Sequence, residues 1–202
     1  MIAGASAGIG RAFCQSLAKR GLHLVLIART EEPLAMLSEE LKEKCHIETL
    51  PLSLDLSTSG AVERVGAATA GLDVGLVVYN AALADTGPFL DRQPEMLTRL
   101  VATNCTGPLL LCRYFGKKMA ERGKGGLILM SSMSGFQGTP YVAAYGASKA
   151  FNLVLAEGLW YELKRANVDV LACCPGPTGT PGFNNSLKGK RPPAFPPVLS
   201  PE

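Results

Sequence analysis

Tyr145 and Lys149 stand four positions apart in a stretch with a helical pattern, residues 144–165, so their side chains lie one turn apart on the same face. The phenol of tyrosine ordinarily has a pKa of about 10. A neighbouring ammonium group favours the phenolate and moves that pKa toward neutral pH. The pair can therefore donate or accept a proton as a general acid and base.

A serine pair precedes this helix, at the end of the apolar run 127–130. The hydroxyl of Ser132 could hydrogen-bond a substrate oxygen and stabilise a developing alkoxide. Ser131, its neighbour, is the alternative for the same task.

A glycine loop, Gly4-Ala5-Ser6-Ala7-Gly8-Ile9-Gly10, follows a very short apolar segment and opens a helical pattern. Glycines let backbone N–H groups approach a pyrophosphate, and the following helix N-terminus adds a favourable field. A glycine-rich turn alone is a weak signal, but its place between a strand and a helix favours dinucleotide binding.

Strand and helix patterns alternate along the chain and would position these residues. The apolar runs are 22–28, 47–54, 74–79, 127–130 and 168–174, and the helical patterns are 9–20, 31–44, 60–70, 95–122 and 144–165. This alternation predicts an α/β fold, a doubly wound parallel sheet with helices on both faces and strands buried on both sides. Ligands of such sheets collect at the carboxyl ends of the strands.

The composition suits one globular domain. The chain has 202 residues, 47% of them hydrophobic, and a net charge of +3. We predict a domain over residues 1–190 and a proline-rich tail over 191–202, with the cluster Lys188, Lys190, Arg191 as a solvated loop. The scattered charges predict that the chain does not bind nucleic acid, and the hydropathy predicts that it does not associate with a membrane. We therefore expect a cytoplasmic location. The six cysteines and two histidines show no metal spacing, so we expect reduced thiols and no metal.

Seven landmarks in order resemble the short-chain dehydrogenase/reductase family. They are the GxxxGxG loop, Asp55-Leu56-Ser57, Asn80-Ala81-Ala82, Thr103-Asn104, Ser132, the YxxxK motif Tyr145 to Lys149, and Pro175-Gly176-Pro177-Thr178-Gly179-Thr180. Ser132 precedes Tyr145 by 13 residues, the family's usual offset, which favours it over Ser131. Ala82 departs from the family, which has glycine there.

The resemblance implies a Rossmann-type enzyme that moves hydride between a nicotinamide cofactor and a ketone, aldehyde or secondary alcohol. The implied catalytic residues are Asn104, Ser132, Tyr145 and Lys149. Lys149 would also hold the nicotinamide ribose, and Asn104 would bind a water that continues a proton relay. The implied cofactor contacts are Gly4, Ser6, Gly8, Ile9, Gly10, Arg29, Asp55, Leu56, Asn80, Ala81, Tyr145, Lys149, Pro175, Gly176, Thr178 and Thr180.

Arg29 bears on cofactor choice, because it stands at the end of the second predicted strand. A carboxylate there would bind the ribose 2′-hydroxyl, whereas a guanidinium can bind a 2′-phosphate. NADP(H) is therefore preferred, with NAD(H) possible. Glu31 and Glu32 favour the alternative that this segment only begins a helix.

The sequence carries less information about the substrate and the oligomeric state. The apolar segments 136–142 and 183–199 would border the pocket and favour a bulky ketone or alcohol. The resemblance implies a homodimer or homotetramer through the helices around 105–122 and 144–165.

The short first strand and the helix-start signal Ser200-Pro201-Glu202 predict a chain truncated at both ends, with a last strand and a lid helix of the family missing. A rival function follows, a catalytically incompetent fragment that binds nucleotide or protein. A third alternative makes the proline-rich tail a ligand of a polyproline-binding module.

Overall fold

The computed structural model of the chain describes residues 1–187 and 197–201. The chain divides into two compact units, one formed by Met1–Asp55 with the segment from Pro177 onward and the other by Leu56–Gly176. The predicted basic cluster of Lys188, Lys190 and Arg191, and most of the proline-rich tail, lie outside the described residues.

The first unit begins with alternating strands and helices. These are β1 Ile2–Ala3, α1 Gly8–Ala18, β2 Leu24–Ala28, α2 Glu31–Cys45 and β3 Thr49–Ser53. β2 lies between β1 and β3, and both pairings are parallel. All five side chains of β2 are buried, as expected for a central strand made of Leu, Val, Ile and Ala.

The second unit continues the alternation and contains the longest helices. Its elements are α3 Ala61–Ala68, β4 Leu76–Tyr79, α4 Pro94–Val101, α5 Gly107–Arg122, β5 Gly125–Met130, α6 Ala143–Leu163 and β6 Val168–Cys173. β5 lies between β4 and β6, again in parallel pairs. A π-helical segment, Ala102–Thr106, joins α4 to α5. Beyond this unit, α7 Pro181–Ser186 belongs to the first one.

The six strands form a parallel sheet, and the predicted doubly wound, Rossmann-type fold class is confirmed. The predicted burial on both faces is confirmed for β2 and wrong for β3 and β6. In β6, Val168 and Val170 are buried while Asp169 and Leu171 are exposed. α6 packs against β6, so the strand is covered on one face and alternates accordingly.

The cysteines differ in part from the expected pattern. All six thiols are free. Strand alternation in the apolar run 168–174 predicts two buried side chains for Cys173 and Cys174, but both are only half-buried, at the position where β6 ends.

Among the described helices, none combines the length and the apolar character needed to cross a bilayer. The cytoplasmic location stays a prediction from the sequence.

Candidate active site

Tyr145 and Lys149 lie in the first turns of α6, with the Lys149 Nζ 5.6 Å from the centre of the tyrosine ring. Lys149 is only 3% exposed. Its ammonium donates a hydrogen bond of 2.7 Å to the main-chain oxygen of Met130, the last residue of β5. The helix thus brings the cation against the phenol, as the four-residue spacing predicts.

The two serines after β5 face different partners. The Ser132 hydroxyl is hydrogen-bonded to the Tyr145 hydroxyl and also accepts the N–H of Ser134 at 3.2 Å. Ser131 is buried, and its Oγ donates to the main-chain oxygen of Lys149 at 2.7 Å. Ser131 therefore anchors α6 to β5, which leaves Ser132 as the hydroxyl beside the phenol.

Asn104 lies in the π-helical segment and is completely buried. Its Oδ1 accepts the N–H of Leu83 at 2.7 Å, and its Nδ2 donates to Leu83 O at 2.8 Å and to Ser148 Oγ at 2.9 Å. Its main-chain oxygen accepts Asn152 Nδ2 at 3.0 Å. Asn104 thus ties the segment after β4 to α6, and its side chain has no donor left for a further partner.

The π-helical segment is also held from β4. The Tyr79 hydroxyl donates to the main-chain oxygen of Thr103 at 2.7 Å. A π turn is rare and leaves carbonyl groups available to partners outside the helix. Here two consecutive carbonyls, those of Thr103 and Asn104, take side-chain donors from two different elements.

Burial shifts both titratable groups of the pair. It raises the pKa of the Tyr145 phenol, while the hydrogen bond with Ser132 acts in the opposite direction. Burial lowers the pKa of Lys149 to about 8, while the nearby Cys105 thiol acts to raise it. The lysine is thus held where its charge responds to small changes in its surroundings.

The glycine loop of the first unit has a backbone conformation that favours glycine. Gly4 and Gly8 have φ values of +82° and +56°, which other residues adopt only under strain. A Cβ on Gly8 would stand 2.8 Å from the methyl carbon of Thr180, so a side chain has no room there. Ala7, at the N-cap of α1, provides no side-chain cap, and the first-turn N–H groups can therefore meet a pyrophosphate. These residues fit a dinucleotide.

Arg29 directly follows β2, and its side chain is exposed. Its main-chain oxygen accepts Ser53 Oγ at 3.1 Å, which joins the ends of β2 and β3. Glu31 and Glu32 lie in the first turn of α2, where acidic residues favour the helix dipole. The geometry is therefore compatible with both predictions, that Arg29 binds a 2′-phosphate and that the segment only begins a helix.

The segment after β6 carries the last predicted cofactor contacts. Pro175 O accepts Met133 N at 3.1 Å, and Gly176 follows it in the second unit. Thr178 is buried and bridges to Leu199. The hydroxyl of Thr180 accepts Phe183 N at 3.1 Å and caps α7, so this oxygen is already engaged.

The predicted residues thus divide between the two units. The second unit contains Asn104, Ser132, Tyr145, Lys149, Leu56, Asn80, Ala81, Pro175 and Gly176. The first unit holds Gly4, Ser6, Gly8, Ile9, Gly10, Arg29, Asp55, Thr178 and Thr180. Among the described residues, no group of three or more His, Cys, Asp or Glu side chains could hold a metal ion.

The sequence did not identify four groups that interact with the predicted catalytic residues: the Met130 carbonyl, Cys105, Ser148 and Asn152. Asn152 left a signal in the sequence, because it is a polar residue in the largely apolar run 150–156 of α6, one turn after Lys149. The others gave none, because their contacts connect segments far apart in the chain.

A family model described as short chain dehydrogenase matches residues 1–191. The chain belongs to the short-chain dehydrogenase family. It is accordingly an NAD(P)-dependent oxidoreductase of that family. The chain is 35% identical over 189 residues to a 7beta-hydroxysteroid dehydrogenase of Mediterraneibacter gnavus, covering 94% of this chain and 72% of that protein.

Two solved structures of this short-chain dehydrogenase family extend the comparison. A short-chain dehydrogenase from Sphingobium yanoikuyae in complex with NADPH has a TM-score of 0.92 at 29% identity, covering 99% of this chain and 78% of that one. The bulky-bulky ketone specific alcohol dehydrogenase from Comamonas testosteroni has a TM-score of 0.88 at 29% identity, with 99% and 76% covered. Nearly the whole of this short-chain dehydrogenase therefore has counterparts in its relatives.

Proposed function

We propose that this short-chain dehydrogenase is an NADP(H)-dependent reductase of bulky ketones, running in reverse on the corresponding secondary alcohols. The observation that carries the proposal is the half-buried Tyr145 phenol, hydrogen-bonded to Ser132 and flanked by the Lys149 ammonium. A phenol placed in this way can exchange a proton with an oxygen atom of a bound substrate.

In the proposed reaction, Tyr145 donates its proton to the carbonyl oxygen as a hydride reaches the carbonyl carbon. The nicotinamide, when bound, supplies that hydride and is oxidised as the ketone is reduced. Ser132 holds the same oxygen and stabilises its developing charge. Lys149 stabilises the phenolate that remains until solvent returns the proton, and oxidation of an alcohol reverses these steps.

The cofactor would lie against the glycine loop, with Gly4, Gly8 and the uncapped start of α1 receiving its pyrophosphate. Arg29 would meet the 2′-phosphate. Its exposed side chain and the NADPH bound by the Sphingobium yanoikuyae relative support this part of the proposal.

Exposed apolar side chains in the loops of the second unit support a bulky substrate. Phe89 and Leu90 precede α4, and Phe136 and Tyr141 lie between Ser132 and α6. Leu90 is 93% exposed, so its apolar side chain is available to a ligand. The two relatives that act on a hydroxysteroid or a bulky ketone point to the same class of substrate.

The direct test measures NADPH consumption by the purified chain with a panel of ketones of increasing size. We expect turnover that rises from small aliphatic ketones to ketones with two bulky substituents. The rival function, a fragment that binds nucleotide without catalysis, predicts that NADPH binds and no ketone is reduced. The Ser132 hydroxyl and the Lys149 ammonium beside the Tyr145 phenol favour the enzyme over this rival.

Arg29→Asp should invert cofactor preference. The change removes a charge-assisted contact with the 2′-phosphate and adds a carboxylate that repels it and can bind the 2′-hydroxyl of NAD(H). We expect weaker NADPH binding and equal or tighter NADH binding, measured as dissociation constants by fluorescence titration.

Arg20→Asp is the matched control, because it makes the same charge change at another exposed position of the first unit. It should lower NADPH affinity only slightly, through long-range charge. Equal affinity ratios for the two cofactors in both variants would contradict the role given to Arg29.

We propose further that the chain forms a homodimer or homotetramer through α5 and α6. Five large apolar side chains are exposed on these helices: Leu109, Leu110, Val154, Trp160 and Tyr161. A patch of this kind marks an association surface, and the family commonly pairs subunits here. Analytical ultracentrifugation should show a dimer or tetramer for this chain and a monomer for Val154→Glu.

A further inference from the structure

Asn152 has a buried side-chain amide and lies in α6, close to the proposed catalytic lysine. It follows Lys149 by three residues, so the two side chains share one face of the helix. Asn152 is only 2% exposed, and its Nδ2 donates to the main-chain oxygen of Asn104 at 3.0 Å. Its Oδ1 is buried and has no hydrogen-bond partner among the described residues.

The orientation of this amide is determined by its partner. The main-chain oxygen of Asn104 can only accept a hydrogen bond, so the NH₂ group of Asn152 must face it. The reversed amide would bring two acceptor oxygens together. The unpartnered atom is therefore an acceptor oxygen, and buried acceptors of this kind in native proteins are as a rule satisfied by ordered water.

Lys149 has more N–H donors than the described residues provide acceptors for. Its ammonium carries three N–H donors, and the described residues provide one acceptor, the main-chain oxygen of Met130 at 2.7 Å. The titratable groups that face Lys149 in the described part of the chain are the Tyr145 phenol and the Cys105 thiol. Neither is a carboxylate that would stabilise the buried charge.

We propose that Asn152 is a positioning residue that stabilises the Lys149 ammonium through an ordered water held by its Oδ1. The proposal rests on the proposed function, in which that ammonium acts on Tyr145. Asn152 Oδ1 is a buried acceptor without a partner among the described residues, one helical turn from the lysine on the same face of α6.

The test compares Asn152→Leu, which keeps the size and removes both polar groups, with Asn152→Asp, which keeps an oxygen and adds a charge. The pKa of Lys149 is measured by NMR on protein with ¹³C-labelled lysine, and the signal is assigned by its loss in Lys149→Met. Asn152→Leu should lower this pKa and Asn152→Asp should raise it, each by about one pH unit. The variant Thr69→Val, at another buried polar residue far along the chain, gives the baseline for a purely structural change.

Turnover gives the second readout. In Asn152→Leu the rate should fall by about tenfold at neutral pH, with an unchanged KM for NADPH, and the alkaline limb of the rate should move to lower pH. If Asn152→Leu does not fold, Asn152→Asp alone decides between a raised and an unchanged lysine pKa. A Lys149 pKa that is the same in the wild type and in every folded Asn152 variant would overturn the inference.

These measurements distinguish failure of the proposed function from failure of the Asn152 proposal. The NMR titration requires no substrate, so it tests Asn152 even if no ketone is reduced. If the wild type reduces ketones but the pKa of Lys149 is unchanged in the Asn152 variants, only the Asn152 proposal is wrong.

Discussion

Tyr145→Phe should abolish ketone reduction while leaving NADPH binding nearly intact. The substitution removes only the hydroxyl, and with it the proton that the reaction delivers to the substrate oxygen. General acid catalysis typically contributes about a hundred- to ten-thousand-fold, so kcat should fall by about that range. The measurement is steady-state turnover together with the dissociation constant of NADPH.

Tyr114→Phe is the matched control, because it removes the same hydroxyl from a tyrosine of α5 outside the proposed site. It should leave kcat unchanged. Near-normal turnover in Tyr145→Phe would rule out Tyr145 as the proton donor and leave Ser132 to be tested in its place.

Lys149→Met should lower both turnover and cofactor affinity, and should at the same time stabilise the fold. The methionine keeps most of the volume of the side chain and removes its charge, so the phenolate of Tyr145 loses its nearby cation. We expect kcat to fall by about a hundredfold or more and NADPH to bind more weakly, since the resemblance gives this lysine a ribose contact.

The stability gain follows from the burial of the ammonium. The pKa of Lys149 is about 8 in the folded chain against an ordinary 10.5, a difference that corresponds to about 3 kcal/mol of free energy. The unfolded chain therefore holds this proton more tightly, so the contribution of Lys149 to the free energy of unfolding rises with pH between about 8 and 10.5. Lys149→Met should melt higher than the wild type at neutral pH, and this advantage should shrink as the pH rises through that window.

Lys117→Met is the control for this experiment, since Lys117 is exposed on α5 and forms only a surface ion pair with Glu121. Its melting temperature should stay close to that of the wild type across the same pH range. A Lys149→Met variant that melts lower than the wild type at neutral pH would show that the bond to Met130 outweighs the cost of burying the charge.

These two predictions involve residues that the sequence identified because their relation is local. The four-residue spacing of Tyr145 and Lys149 within one helix determines that they share a face, whatever else the chain packs against. Likewise, the regular alternation of apolar runs and helical stretches predicted the doubly wound sheet, because this alternation is typical of parallel strands joined by helices.

Tertiary packing decided which groups complete the site. The bond from Asn104 to Ser148 joins residues 44 positions apart, and the bond from Ser131 to Lys149 joins residues 18 apart. No periodicity spans such distances, so the pattern alone did not separate Ser131 from Ser132, which only the family's offset favoured, and it did not assign Asn152. The exposed faces of β3 and β6 also depend on which helices cover them.

The sequence by itself therefore determined the order of the strands and helices along the chain and the family resemblance, and it identified Asn104, Ser132, Tyr145 and Lys149 as catalytic candidates. Only the tertiary structure decided that Ser132 contacts the phenol, that the Asn104 side chain bonds Leu83 and Ser148, and that Asn152 Oδ1 has no partner among the described residues. The physical reason is the range of the interactions. Spacing along a helix or strand specifies neighbours on one face, whereas the hydrogen-bond partner of a buried polar group depends on how separate segments pack.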